Sequence, residues 1–325
     1  MGKILALALA FIAAATLGAQ AQTYPSRVVT IVVPFPAGGP TDTVARILVD
    51  RLKEKDALGA TVIVEDIAGA GGSIGVGRVA HALPDGYTLV LGHVQTHVFN
   101  AVTMHLDYDV VNDFEPVALI SDSPIWIVSR NSLPADDLKG FIAWLKGRNG
   151  NATIGMVGIG GPTDVAARTF AKRTGTAFRY IPYTGGAPLL QDLLGSHIDF
   201  AFGFAANYLS FVRNHQIKAF GVLQSKRWWA APDVPTLDEL GIPDIQATFW
   251  QGIWAPKGTP KDVIAKLNAA IRVTLADPTV RERFRALGQD VWPADQQTPE
   301  ALAAKQQAEI ARWWPIIKEA GIKAQ

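Results

Sequence analysis

One nine-residue motif occurs twice in this sequence, and it carries residue types suited to binding an anion. Residues 38–46 read GGPTDTVAR and residues 160–168 read GGPTDVAAR, so seven of the nine positions are identical. Each copy follows a segment with the pattern of a β-strand and opens a segment with the pattern of a helix. A motif duplicated at equivalent places in two units predicts two half-sites that serve one function.

The chemistry that this motif favours is capture of a carboxylate or a phosphate. Paired glycines let the backbone approach a ligand closely. Proline suits the first helical position, and the N–H groups after it, the positive helix end and the threonine hydroxyl together form an anion site. We interpret Asp42 and Asp164 as capping groups that satisfy donors within the first turn. The alternative is that both motifs are only well-formed helix starts. The candidate binding residues are Gly38, Gly39, Thr41, Gly160, Gly161 and Thr163.

Other features give less support to a catalytic or metal site. Neither a P-loop nor an H-E-x-x-H motif occurs, and the glycine-rich residues 69–77 lack the spacing of a dinucleotide site. His93 and His97 are spaced like a metal pair, but no cysteine or nearby carboxylate completes a ligand set. We expect one or both to line the cleft or pack beneath it, and we expect neither a metal nor a cofactor. A hydrolase or lyase would need a nucleophile or base constellation, which is not apparent.

The motifs lie in an alternating pattern of short β-branched runs and longer amphipathic segments. The first half predicts strands at 28–33, 62–65 and 88–91, with helices at 43–53 and 75–82. This order predicts an α/β fold of mostly parallel sheets flanked by helices. The second half predicts strands at 125–129, 153–157, 198–202 and 217–222, and helices at 135–146, 163–173, 260–275, 278–287 and 299–320.

The start of the chain has the pattern of an export signal. Met1-Gly2-Lys3 gives a positive charge, residues 4–17 are almost wholly apolar, and Ala19-Gln20-Ala21 supplies an A-x-A cleavage site. A run of roughly 15 apolar residues is shorter than the ~20 that span a bilayer, which disfavours a membrane anchor. The sequence predicts a signal peptide over residues 1–21, cleaved near Ala21-Gln22, and a soluble periplasmic protein.

Composition and charge exclude several classes of protein. The 325 residues contain no cysteine, so disulfides and thiolate sites are excluded. Lys and Arg number 30 against 29 Asp and Glu, and no basic stripe supports nucleic-acid binding. About 300 mature residues suffice for two domains. We predict domain 1 at residues 22–123 plus 249–325 and domain 2 at residues 124–248, with the proline-rich residues 232–243 crossing back between them.

Further motifs give the chain its resemblance to a known family. They are VPFPAGGPTD (33–42), AGAGG (68–72), PDGYTL (84–89), YTGG (183–186), PDVPT (232–236) and WQGIWAPKGTP (250–260). In combination they resemble the extracytoplasmic solute receptors of the tripartite tricarboxylate transporter system, also called Bug receptors, over nearly the whole mature chain. The resemblance implies a two-domain Venus-flytrap fold of the type II periplasmic binding proteins, with no catalysis of its own.

The resemblance also implies a ligand site and partners. One ligand carboxylate would rest, partly through ordered water, on the loop after the first strand, and the second domain's loop would hold the other end. The closed complex would be presented to the small and large membrane subunits of a transporter, although some members of the family serve as sensors. We expect a monomer. The implied first-loop residues are Phe35, Ala37, Gly38, Gly39 and Thr41, and the second-loop residues are Gly160, Gly161 and Thr163.

The chain departs from this family at Gly203 and Phe204, where many members carry an Asp-Asn pair. An aspartate there could pair with the ammonium of an amino acid, so its absence argues against amino-acid ligands. Gly203 opens space and Phe204 adds an aromatic wall opposite Phe35. Together with Trp250 near the crossover, these residues would suit an aromatic or extended apolar carboxylate. The alternative is that Phe204 points into the core.

Overall fold

The computed structural model describes residues 24–183, 185–243 and 245–323, and two helix-covered sheets organise them. The signal peptide expected at residues 1–21 lies outside the described residues. Among the residues described, no helix is both long and apolar enough to cross a membrane.

The first sheet takes strands from both ends of the described chain. Its order is β11-β4-β10-β3-β1-β2. β1 pairs parallel with β2 and β3, whereas β10 runs antiparallel to both β3 and β4. The strands are β1 (Val29–Val33), β2 (Val62–Asp66), β3 (Thr88–His93), β4 (Phe114–Asp122), β10 (Gln251–Pro256) and β11 (Asp290–Val291).

The second sheet lies wholly in the middle of the chain. Its order is β7-β6-β8-β5-β9, with β6 parallel to β7 and β8, and β5 antiparallel to β8 and β9. The strands are β5 (Ile125–Arg130), β6 (Thr153–Val157), β7 (Arg179–Tyr183), β8 (Phe200–Phe204) and β9 (Ile217–Val222).

The sheets are mixed, and the expectation of mostly parallel sheets is wrong in this detail. Among the described strands, four pairings are parallel and five are antiparallel. Parallel pairs come from local β-α-β units, in which a crossover helix returns the chain to the same sheet edge. β5 and β10 instead enter their sheets directly from the other sheet, so they run in the opposite direction.

Helices cover both faces of each sheet because the buried strands are apolar on both sides. In β1, Ile31 packs in one core cluster with Val44 of the first helix, and Val32 packs in another with Val76 of the second helix. The helices are α1 (Pro40–Leu52), α2 (Ser73–Ala80), α3 (Asn100–Thr103), α4 (Leu138–Gly147), α5 (Pro162–Thr174), α6 (Gly186–Leu194), α7 (Ala205–Arg213), α8 (Lys261–Ala276), α9 (Pro278–Ala286) and α10 (Pro299–Glu319), with a π-helix at Gln95–Phe99 and short 3-10 turns at Ala70–Gly72 and Ala294–Gln296.

Two crossing segments join the sheets and pair with each other. Ser123 and Phe249 exchange backbone hydrogen bonds of 2.8 and 3.2 Å, and Pro124 bridges Thr248 in antiparallel fashion. The chain then returns to the first sheet, where α10 packs on β4 and the Gln306 side chain donates to the carbonyls of His97 and Val110. The C-terminal helix therefore covers the first body, as the sequence suggests. Domain boundaries at 123/124 and 248/249 stay a prediction that this sheet membership supports.

Candidate ligand-binding site

A cavity of about 430 Å³ lies at the carboxyl ends of β1, β3, β6 and β8. This is where ligands of open α/β sheets bind. Residues 35–41 and His93 line it from the first body, and Thr163 and Phe204 line it from the second. The other lining residues are Gln95, Val157, Pro162, Gly185, Gly186, Phe202, Gly203, Asn207, Tyr208 and Phe249.

The duplicated motif folds into the same loop in each body. Gly38 has a φ of +78° and Gly160 a φ of +77°, in the left-handed region that favours glycine. The next glycine in each copy takes extended backbone and precedes the helix, whose first residue is the motif's proline. The sequence repeat is therefore a structural repeat at equivalent strand ends.

The two aspartates hold these loops rather than the helix ends. The Gly38 N–H donates to Asp42 Oδ2 at 2.7 Å, and the Gly160 N–H donates to Asp164 Oδ2 at 2.9 Å. Burial alone would raise the pKa of Asp42, but the Arg46 guanidinium and the Gly38 N–H hold it below its usual range. The equivalent arginine lies 2.6 Å from Asp164. The expectation that the aspartates cap the first turn is wrong, because their side chains reach back to the loop glycine.

Helix starts supply the main-chain donors of the cavity. The first intrahelical bond is donated by Thr43 in α1, at 2.9 Å, and by Val165 in α5, at 3.0 Å. The N–H groups of the two residues before each donor therefore have no helical acceptor and are left for a ligand. α6 and α7 also line the cavity with their first turns, through Gly186 and Asn207. Four positive helix ends thus converge on one space.

The Thr163 hydroxyl is an unused donor at this site. Its side chain lines the cavity, Thr163 is only 4 % exposed, and the hydroxyl has no hydrogen-bond partner among the described residues. Buried hydroxyls are normally paired, so an unpaired one in a residue that lines a cavity indicates a missing acceptor. A ligand carboxylate would supply that acceptor.

No Asp, Glu, Lys or Arg side chain lines the cavity within the described part of the chain. The negative charge of a bound anion must therefore be stabilised by N–H and hydroxyl dipoles rather than by a cationic side chain. Such dipoles are effective where water is excluded and need little reorganisation. An ammonium group would find no acidic partner among these lining residues.

Four lining rings pack in succession, the first pair stacked and the next two pairs tilted, and we call them the aromatic stack: Phe35, His93, Phe249 and Phe204. Successive ring centroids are 4.6, 4.5 and 4.5 Å apart. Burial lowers the pKa of His93 to about 3, so the imidazole is neutral near pH 7. His93 Nδ1 accepts the Gln95 N–H at 3.2 Å, which leaves the proton on Nε2. The stack forms a largely apolar surface that joins the two bodies.

Nine of the twelve residues expected to bind ligand line this cavity, and their contact with a ligand stays a prediction. Phe204 lies against Phe249 with its ring at the cavity instead of wholly in the core. Gly160 and Gly161 are buried and do not line it. The nine are Phe35, Ala37, Gly38, Gly39, Thr41, His93, Thr163, Gly203 and Phe204.

Trp250 does not reach the cavity, in contrast to the sequence-based expectation. It is completely buried in the core, with its ring centroid 6.1 Å from that of Trp254. Neighbouring residues on an extended chain point to opposite sides. Because Phe249 faces the cavity, Trp250 must face the core.

His97 packs beneath the site. It is fully buried and stacks on Trp254 with ring centroids 3.7 Å apart, and burial lowers its pKa. Within the described residues, no group of three or more His, Cys, Asp or Glu residues could hold a metal ion.

The sequence reasoning missed seven polar, glycine and aromatic lining residues, one of which is Phe202 in β8. Gln95 begins a π-helix, and Gly185 precedes and Gly186 begins a helix that the pattern did not predict. Gly-Gly at a helix start was the available signal for that last pair. For the remaining three no local signal exists, since their positions follow from how α7 and the crossing segment pack: Asn207, Tyr208 and Phe249.

The fold and the cavity define a two-body solute receptor of the periplasmic binding protein class. Several solved structures cover at least nine-tenths of this chain, and three of them show what it is similar to. They are the periplasmic binding protein BugD (37% identity, TM-score 0.80, 93% of this chain and 100% of that one), MatC (Rpa3494) from Rhodopseudomonas palustris with bound malate (36%, 0.80, 90% and 100%), and R. palustris Rpa4515 with adipate (29%, 0.81, 92% and 99%).

The profile of the tripartite tricarboxylate transporter family receptors (TctC) matches residues 44–322, and the chain belongs to this family. It is therefore a periplasmic solute receptor and not an enzyme. The family resemblance and the Venus-flytrap fold expected from the sequence are confirmed.

Proposed function

We propose that this receptor captures one small carboxylate, a dicarboxylate or an aromatic carboxylate, between its two bodies. The observation that carries this proposal is the convergence of four helix N-termini on a cavity whose described lining contains no charged side chain. Main-chain N–H groups and the Thr163 hydroxyl are donors matched to carboxylate oxygens. The two motif loops supply such donors from opposite bodies, which suits a ligand with an acidic group at each end.

The proteins of similar structure support a dicarboxylate. MatC holds malate and Rpa4515 holds adipate, and both ligands carry two carboxylates. The aromatic stack adds a largely apolar aromatic surface to the cavity of this chain. A ring or an aliphatic chain between the two acidic groups would be stabilised by burial against this surface. A ring would gain about 0.5–1.5 kcal/mol of aromatic pairing in addition to the burial of its apolar area.

Family membership supports a role in transport. We assign the small and large membrane subunits of a tripartite tricarboxylate transporter as partners, and a monomeric receptor exported by a signal peptide cleaved near Ala21-Gln22. The mature chain would then consist of domain 1, residues 22–123 plus 249–325, and domain 2, residues 124–248. Uptake of a labelled ligand into vesicles that carry the membrane subunits should require the receptor. Uptake that is unchanged without the receptor would contradict the transport role and leave signalling as the alternative.

A thermal-shift screen followed by calorimetry tests the binding proposal. The panel is malate, adipate and terephthalate, with aspartate and 2-aminoadipate as the amino-acid counterparts of malate and adipate. A ligand at 100 times its dissociation constant should stabilise the protein by about 2.7 kcal/mol. We expect stabilisation by at least one diacid, one site per chain, and weaker binding of each amino acid than of its diacid. Two independent sites, or tighter binding of the amino acids, would contradict the proposal.

A further inference from the structure

The backbone at Gly203 is in close contact with the ring of Tyr208. A Cβ atom added at Gly203 would lie 2.8 Å from Tyr208 Cζ and 2.9 Å from its hydroxyl oxygen, and closer still to Cε2. Real Cβ atoms essentially never approach other heavy atoms this closely. The tyrosine ring therefore occupies the space that any side chain at position 203 would take.

The position of Tyr208 follows from the strand-to-helix connection. β8 ends at Phe204 and α7 begins at Ala205 with no intervening loop. Helical side chains lean toward the N-terminus of their own helix, so a ring in the first turn folds back over the strand end. Tyr208 is 2 % exposed and packs with Trp126 in the second body's core, yet it also lines the cavity. Its ring is therefore fixed while its edge faces the ligand space.

The hydroxyl of Tyr208 is a neutral hydrogen-bond donor. Burial raises the pKa of this phenol above its ordinary value, so it is protonated near pH 7. No acidic side chain among the described lining residues competes for that proton. A carboxylate is a charged acceptor, and a hydrogen bond to it is roughly twice as strong as one to a neutral acceptor.

We propose that Tyr208 is a specificity-determining residue whose hydroxyl donates to the ligand carboxylate at the second-body end. By occupying the space beside Gly203, the ring also excludes a side chain there that could pair with an ammonium group. Gly203 and Tyr208 thus act as one coupled pair that selects acids over amino acids. This inference rests on the proposed carboxylate site and adds to it the residue that hydrogen-bonds the second acidic group.

Tyr208→Phe isolates the hydroxyl, because it keeps the ring and its packing. Calorimetric titration with adipate and with terephthalate should show binding at least tenfold weaker than in the wild type. The thermal midpoint of the free protein should change little. The matched control is Tyr108→Phe, which removes a buried hydroxyl without a partner in the first body's core, outside the cavity. Tyr108→Phe should bind both acids as the wild type does.

The steric half of the inference is tested by Gly203→Ala in two backgrounds. In the wild type the added Cβ must displace the Tyr208 ring, so the thermal midpoint and the affinity for adipate should both fall. In a Tyr208→Ala background the same change should cost little, because the obstructing ring is gone. An equal loss of thermal midpoint in both backgrounds would overturn the coupling.

The outcomes separate this inference from the proposed function. If the wild type binds no acid in the panel, the carboxylate site itself is wrong. If the wild type binds adipate or terephthalate and Tyr208→Phe binds both equally well, the site stands and the role of Tyr208 is overturned. Loss of affinity in Tyr108→Phe to the same extent would also overturn it, because the effect would then not be specific to the cavity.

Discussion

Thr163→Val tests whether the Thr163 hydroxyl of the second loop donates a hydrogen bond to the ligand. Valine keeps the shape of threonine but removes a hydroxyl that has no partner in a residue only 4 % exposed. A hydrogen bond from that hydroxyl to a carboxylate is worth about 1.5–3 kcal/mol. Losing it should weaken carboxylate binding by about 10- to 150-fold. In the free protein the same change removes an unsatisfied buried hydroxyl, so the free energy of unfolding should stay the same or rise.

The two expected effects have opposite signs, and a matched variant separates them. Thr274 in α8 also carries a buried hydroxyl without a partner, is fully buried, and does not line the cavity. Thr274→Val should therefore match Thr163→Val in stability and match the wild type in binding. Urea unfolding measures the first quantity, and calorimetric titration with adipate measures the second. Unchanged adipate affinity in Thr163→Val would refute the assignment of this hydroxyl as a ligand donor.

Three further predictions concern the loop, the aromatic stack and the crossing segment. Asp164→Ala leaves the Gly160 N–H without its acceptor, so the free energy of unfolding should fall by about 1–3 kcal/mol. The affinity for adipate should fall as well. An unchanged urea midpoint would contradict this prediction. Phe204→Ala removes one ring of the aromatic stack. In parallel titrations, the affinity for terephthalate should therefore fall about 2- to 10-fold more than the affinity for adipate. Equal losses for the two acids would exclude a ring-specific contact. Burial raises the pKa of Asp122, at the crossing segment, from its ordinary 3.8 to about 7, an effect that Lys305 opposes. Between pH 3.8 and about 7, the folded state therefore keeps a proton on Asp122 that the unfolded state has lost. The free energy of unfolding should then fall as the pH rises through this range. Asp122→Asn should flatten that slope in urea titrations, and an unchanged slope would assign it to another group.

Local sequence patterns predicted the elements that place the first-loop residues. Buried strands such as β1 and β6 are short β-branched or apolar runs, and proline after paired glycines begins α1 and α5. Because these signals lie within one strand–loop–helix unit, the duplicated motif indicated a shared loop geometry. Gly38 and Gly160 adopt that geometry with nearly equal φ angles.

Features that depend on distant packing were not predictable from the same patterns. β10 lies between β3 and β4, two strands that are far from it along the chain. No local sequence pattern predicts that pairing. Whether Phe249 or Trp250 faces the cavity depends on how the crossing segment joins the sheet. The contact between Gly203 and Tyr208 needs α7 to begin at the strand end, and neither that helix nor α6 was predicted.

In the proposed complex, one carboxylate ligand is held by the starts of α1 and α5 together. An amide NMR titration of the mature protein with adipate tests it most directly. The N–H signals of Thr41, Asp42, Thr163 and Asp164 should all shift, with a single dissociation constant equal to the calorimetric one. Shifts confined to one loop, or two loops that titrate with different constants, would contradict a single ligand bound between two half-sites.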